Sequence, residues 1–146
     1  MPKLLDHNSG EILNEATTYG AERTMADKED LDFEISFYEN LVKEKPDFVE
    51  ALIPLGDAYT KRGQYKKGLE VDKRLVKLKP KNHLVHYNLA CSYSLLKMVD
   101  QTLNALKKAI DLGYRDFAFM EADPDLENAR KDNRYKDLVS KAKSAR

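Results

Sequence analysis

The 146-residue sequence has no tryptophan, a single cysteine and no run of apolar residues long enough to span a membrane, which takes roughly 18 residues. One cysteine, Cys91, excludes an internal disulfide framework and every metal or redox motif that is built on paired cysteines. The default setting for such a chain is reducing. We therefore expect a cytoplasmic protein with no membrane partner.

Net charge is also absent, since 25 basic residues balance 25 acidic ones. A protein that coats nucleic acid or membranes is therefore not expected. The charge is unevenly divided: residues 1–73 hold 16 acidic and 10 basic side chains (−6), and residues 74–146 hold 9 and 15 (+6). Either two solvated faces differ by chance, or the halves attract a partner or a second copy head to tail.

Apolar and proline positions recur along the chain at a spacing of 34 residues. Chance agreement at one spacing over so many positions is improbable, so the sequence predicts an internal repeat. The matching positions are Pro46 and Pro80; Leu55 and Leu89; Tyr59 and Tyr93; Leu31, Tyr65 and Val99; Ile35, Leu69 and Leu103; and Val42, Val76 and Ile110.

Within each repeat, the apolar residues are spaced as on one face of a helix, and they predict two helices joined by a short turn. The predicted pairs cover 47–62 with 65–79, and 82–96 with 99–112. An unpaired helix is predicted over 31–45.

Residue types at the helix ends and faces give more detailed predictions. Asp47 and Glu50 have the spacing of a capping box at the start of the 47–62 helix. Gly63 supplies the left-handed residue that ends this helix. In the 31–45 helix, Phe33 and Phe37 are predicted to belong to the buried stripe, together with Leu41, Ile35, Tyr38 and Val42.

The two ends of the chain depart from the repeat. Residues 1–30 are predicted to be an acidic N-terminal arm or a degenerate helix, which would cover about 11–26. Residues 115–146 contain short apolar helices that we expect to cap the last repeat, because stacked repeats need a more polar terminus. The pair Asp123-Pro124 marks one helix start there.

Over residues 31–114 the chain resembles the tetratricopeptide repeat family, whose unit is a 34-residue helix–turn–helix. The matching residues are Leu52, Leu55-Gly56, Tyr59, Gly63, Tyr65, Gly68, Leu75 and Pro80, and then His86, Leu89-Ala90, Tyr93, Thr102, Leu106 and Ala109. The resemblance implies an all-α helical-repeat α-solenoid of antiparallel helix pairs. It would contain a partial repeat (31–46), two full repeats (47–80 and 81–114) and a C-terminal helical cap (115–146), which is similar to segments that follow such repeats in bacterial proteins.

The resemblance also implies a non-catalytic scaffold or adaptor that binds a peptide or partner protein in a concave groove lined by the first helix of each repeat. Asn88 offers both a donor and an acceptor to an extended peptide, although it could also bond within the fold. Tyr87 could present a flat ring to the ligand or pack against the neighbouring repeat. The residues expected in the groove are Ile53, Asp57, Lys61, Tyr87, Asn88, Cys91 and Leu95.

Other chemistry finds little support in the sequence. His83 and His86 share a helix face but lack a third metal ligand, and Cys91 has no base in register with it. Glycine-rich phosphate loops and nucleophile elbows are missing from the sequence. We expect no enzyme activity, no cofactor, no bound metal and no nucleic-acid partner. The alternative to groove binding is a self-associating homo-oligomer joined through the acidic and basic halves.

Overall fold

All regular structure in the part of the chain that the computed structural model describes, residues 24–145, is helical. The predicted all-α fold is therefore confirmed for these residues. None of these helices is both long and apolar enough to cross a membrane. The helices are α1 (Met25–Glu44), α2 (Val49–Lys61), α3 (Tyr65–Leu78), α4 (His83–Leu95), α5 (Val99–Asp111), α6 (Phe117–Ala122), a 3-10 turn (Pro124–Leu126), α7 (Glu127–Arg130) and α8 (Asn133–Ser144).

The first five helices pack in sequence order, each against the next along the chain. The C-terminal elements then fold back onto the last pair: the 3-10 turn and α7 contact α4, while α7 and α8 contact α5. We call residues 116–145 the C-terminal block. As a result α5 has packing partners in both α4 and the C-terminal block, whereas α1 packs mainly against α2.

Among the described residues, the core consists of two hydrophobic clusters that adjoin at α4. The first lies between α1 and α4 and includes Leu31, Leu52, Leu75 and Val85. The second joins α4 and α5 to the C-terminal block. Helix α4 contributes Val85 to the first cluster and Tyr87, Ala90 and Cys91 to the second. It is therefore the element that both halves of the core share.

Helix α1 starts at Met25, upstream of the predicted start at residue 31. Thr24 and Asp27 form a capping box there: the Thr24 hydroxyl accepts from the Asp27 amide, and the Asp27 carboxylate accepts from the Thr24 amide. Of the predicted acidic arm or degenerate helix over residues 1–30, residues 1–23 lie outside the described part of the chain, and residues 25–30 belong to α1.

The prediction that Phe33 and Phe37 are buried is wrong. Their side chains are 74% and 52% exposed, while Leu31 and Ile35 form the buried side of α1. The physical reason is helical geometry: Phe33 lies about 200° around the helix from Leu31, so one packing partner cannot cover both residues. Apolar residues occupy both sides of this helix, and α2 covers one side.

The predicted capping box at Asp47 is also wrong. Pro46 and Asp47 form a turn, α2 begins after Phe48, and the Phe48 side chain makes no capping hydrogen bond. The helix then runs without interruption through Pro54.

The turns that end α2 and α4 have the same backbone conformation. Gly63 has φ 85° and Lys97, 34 positions later, has φ 61°. Gly63 adopts this left-handed conformation without a steric penalty, as predicted, whereas Lys97 adopts it in spite of its Cβ atom.

Candidate functional site

The candidate site is a cleft bordered by α2, α3 and α4, with one residue of the 3-10 turn at its edge. Its cavity volume is about 30 Å³, room for about one or two water molecules, so the cleft is shallow. We use "the cleft" for this site throughout. Its lining residues are Ile53, Gly56, Asp57, Thr60, Asp72, Leu75, Asn88, Cys91, Ser92, Leu95 and Asp125.

The structure brings together most of the residues that were expected in the groove. Those that line the cleft are Ile53, Asp57, Asn88, Cys91 and Leu95. Lys61 is absent from the lining, but its ammonium lies 3.0 Å from the Asp57 carboxylate, one helical turn away. The first helices of the two predicted repeats therefore face the same space.

Tyr87 does not face the cleft, and its prediction as a ligand contact is wrong. The side chain is 0% exposed, and its ring stacks on Tyr114 with 4.5 Å between the ring centroids. The hydroxyl donates to Asp123 Oδ2 at 2.7 Å. Burial, reinforced by the neighbouring Cys91 and Asp123, raises the pKa of Tyr87 far above its usual range. The packing alternative for Tyr87 is therefore the correct one.

Asp123 is the centre of a buried hydrogen-bond network beneath the cleft. Besides the bond from Tyr87, its carboxylate accepts from the Cys91 thiol at 3.6 Å and from the Asp125 amide at 3.0 Å. The side chain is 2% exposed. Because Tyr87 and Cys91 belong to α4, the network fastens the start of the 3-10 turn to that helix.

The ligand atoms of Cys91, Asp123 and Asp125 all lie within 4.8 Å of one another, the kind of grouping that can hold a metal ion. Both carboxylate oxygens of Asp123 already accept hydrogen bonds from the protein. We therefore assign the cluster to the attachment of the C-terminal block. Sequence spacing gave no signal for it, because the two acids follow Cys91 by more than thirty positions.

A second buried pair joins α3 to α4. The Ser92 hydroxyl donates to the Asp72 carboxylate, and both side chains are buried. Asp72 stands where the tetratricopeptide repeat pattern favours an aromatic residue. The hydrogen bond from Ser92 offsets part of the free-energy cost of removing this carboxylate from water.

The side-chain oxygen of Asn88 receives no hydrogen bond from the described residues. Its Oδ1 atom is buried and has no hydrogen-bond partner among them. A buried acceptor without a partner costs about 1–3 kcal/mol, so a donor that reached this atom would bind favourably. Because Asn88 lines the cleft together with Ile53 and Leu95, such a donor would be flanked by apolar contacts.

The charge of the cleft is acidic. Asp57, Asp72 and Asp125 line it, and the lining set, drawn from the described residues, includes no lysine or arginine. A site of this kind disfavours a ligand that presents a terminal carboxylate, because like charges repel at short range.

The two histidines of α4 have separate structural roles. His86 is 6% exposed, and its Nε2 lies 2.7 Å from the Pro80 carbonyl oxygen, which accepts the ring N–H. The His83 ring instead lies edge-on to Tyr114, with 6.0 Å between the ring centroids. His86 is therefore a packed, buried residue, as its sequence position predicts.

Comparison with known proteins gives a partial similarity. No protein-family model matches the chain. A chloroplastic protein of Arabidopsis thaliana is 37% identical to it over 87 residues, which are 58% of this chain and 26% of that protein. The chain thus spans about a quarter of the length of the curated relative that it matches.

Proposed function

We propose that this chain is a non-catalytic scaffold of the tetratricopeptide repeat type, which binds an extended segment of a partner protein in the cleft. The positions of the helices support the repeat. Helices α2 and α4 start 34 residues apart, at Val49 and His83, and α3 and α5 do so at Tyr65 and Val99. The left-handed residues that follow α2 and α4 keep the same spacing.

The observation that carries the proposal is the open acceptor of Asn88. An extended peptide has backbone N–H groups at regular intervals. One of them would donate to Asn88 Oδ1 once the half-buried amide turns its oxygen into the cleft, and this needs no particular side chain. Ile53 and Leu95 would contact the apolar side chains next to that group. Because helices hold all three residues, the site needs little ordering when the ligand binds.

The experiment selects ligands from a random library of 12-residue peptides with the wild-type protein. The affinity of the selected peptides is then compared between the wild type and Asn88→Leu, which removes the acceptor at similar volume. We expect at least a tenfold loss, about 1.4 kcal/mol. The control Tyr65→Gln alters an exposed aromatic residue that is not part of the cleft lining, and its affinity should equal that of the wild type.

Two results would count against the proposal. Selection could return no peptide with a measurable affinity, or Asn88→Leu could bind the selected peptides as tightly as the wild type. Circular dichroism of each variant shows whether the helices are intact, so that a loss of affinity is not confused with unfolding.

The cellular location stays a separate prediction. The name of the relative describes a chloroplast protein. For this chain we propose a reducing compartment, because Cys91, the one cysteine of the sequence, is buried and has no second cysteine in the chain to pair with.

A further inference from the structure

The side of α1 that faces away from α2 carries large apolar residues. Met25 is 73% exposed, Phe33 is 74% exposed and Phe37 is 52% exposed. Phe33 and Phe37 are one helical turn apart, and Met25 lies about 12 Å before Phe33 along the axis. We call this surface, from Met25 to Phe37, the outer face of α1. It is distinct from the cleft, since none of its residues lines that site.

No described element covers this face of α1. Helices of stacked arrays normally present polar residues wherever they face water. At the other end of the described chain, the C-terminal block packs on α5 and covers it. At the α1 end two phenylalanines are exposed instead, and exposed apolar patches on soluble proteins commonly mark interaction sites.

The charge around this face restricts what can cover it. Helix α1 contains seven acidic and two basic residues, a formal charge of −5. Glu29, Asp30 and Glu44 are exposed and lie on the same side of the helix as Phe33 by their position in the 100° helical repeat. The outer face of α1 is therefore apolar at Phe33 and Phe37 and acidic before and after them along the helix axis.

We propose that the outer face of α1 binds a basic amphipathic helix of a partner protein. The apolar side of that helix would cover Phe33 and Phe37, and its lysines or arginines would lie beside the acidic residues before and after them. The helix would complete for α1 the two-sided packing that α2, α3 and α4 already have.

Charge argues against the two other occupants. A second copy paired through the same face would place two helices of charge −5 in contact. The C-terminal helix α8 of a second copy is basic, at +3, but its large apolar residues Tyr135 and Val139 are buried inside its own chain. Residues 1–23 carry four acidic and two basic side chains, so they have the same sign as α1.

The test uses the full chain and three synthetic 20-residue helical peptides. The first has leucine at positions spaced i, i+3, i+4 and i+7 and lysine at the positions that border the leucine side of the helix. The second replaces each lysine by glutamate, and the third replaces each leucine by serine while keeping the lysines. We expect the first peptide to bind, and the other two to bind at least tenfold more weakly. Fluorescence anisotropy measures the affinities.

Protein variants then locate the site. Phe33→Gln combined with Phe37→Gln should weaken binding of the first peptide at least tenfold, because it removes the two central apolar contacts. Both side chains are exposed, so the fold should be retained. Tyr65→Gln removes an exposed aromatic residue of α3 and should bind the peptide like the wild type. Asn88→Leu, in the cleft, should also bind it like the wild type.

Several results would overturn the proposal. Equal binding of the serine peptide would mean attraction by charge alone, and equal binding by the double phenylalanine variant would place the peptide elsewhere. No binding of the first peptide would also refute it. A dimer by light scattering that the double variant converts to a monomer would assign the face to a second copy. Nuclear Overhauser contacts from residues 1–23 to the Phe33 or Phe37 ring would assign it to the chain itself.

Discussion

The buried hydroxyl of Tyr87 allows a quantitative test of how the C-terminal block is attached. Tyr87→Phe removes the donor that lies 2.7 Å from Asp123 and leaves the ring stack with Tyr114 unchanged in shape. A hydrogen bond to a charged group contributes about 1.5–3 kcal/mol, and the Asp123 carboxylate would remain buried without that donor. We expect the free energy of unfolding to fall by about 2 kcal/mol at pH 7. The midpoint of thermal unfolding should fall by about 4–8 °C.

The effect of Tyr87→Phe should depend on pH in a defined direction. Burial raises the pKa of Tyr87 far above its usual range, so the folded state keeps this proton when the unfolded chain loses it. Below pH 10 the phenol is protonated in both states and contributes no pH dependence. As the pH rises above 10, the wild type loses up to about 1.4 kcal/mol per pH unit through this residue. The variant lacks that loss, so the two proteins should become closer in stability.

Urea denaturation followed by circular dichroism, at pH 7 and at pH 11, measures both effects. The control is Tyr65→Phe, which removes the same hydroxyl group from a ring that is 36% exposed. Equal stability of Tyr87→Phe and the wild type at pH 7 would show that the bond to Asp123 does not hold the block. An unchanged difference between them at pH 11 would refute the assignment of the alkaline loss to Tyr87.

Three further predictions concern individual backbone and surface features. Lys97→Gly should raise the free energy of unfolding by about 1 kcal/mol in urea denaturation, because glycine accepts φ 61° without strain, whereas Lys97→Ala should not. Pro54→Ala should raise the free energy of unfolding by about 1–3 kcal/mol, since alanine restores the amide hydrogen bond missing inside α2. An unchanged midpoint of urea denaturation would contradict this prediction. Hydrogen bonds from the Arg134 side chain lower the pKa of Asp132 to about 2, so this pairing stabilises the fold above about pH 4 and is lost as the pH falls towards 2. In Arg134→Gln, a carbon-detected NMR titration should show that the pKa of Asp132 rises towards 3.8.

The helices could be predicted from the sequence because their apolar residues repeat at a fixed spacing. The starts of α3 and α5 agree with the predicted starts, and those of α2 and α4 agree within two residues. The missed start of α1 reflects a different kind of signal. Thr24 and Asp27 form a capping box in a segment where the apolar repeat is weak, so the cap rather than the repeat decides where that helix begins.

The residues that were placed wrongly depend on contacts between distant parts of the chain. Tyr87 is buried because Tyr114 stacks on it and Asp123 accepts its hydroxyl, and both residues lie well beyond the helix that carries Tyr87. Phe33 and Phe37 are exposed because their side of α1 has no packing partner in the described chain. A helical period identifies an apolar side, but it does not say whether another element covers it.

The cleft was easier to anticipate, because equivalent positions on α2 and α4 face the same space in a repeat. Ile53 and Asn88 were expected there and do line it. The open acceptor of Asn88 was not foreseeable, since it depends on what the surrounding side chains leave unsatisfied.

The attachment of the C-terminal block to α4 and α5 has a consequence for synthesis on the ribosome. Helices α1 to α4 can pack progressively as they emerge, because each contacts its neighbour in the chain. Tyr87, Leu106 and Ala109, however, share a core with Tyr135 and Val139, which are translated later. Until those residues leave the ribosomal exit tunnel, the nascent chain exposes an apolar surface, the kind of surface that chaperones recognise.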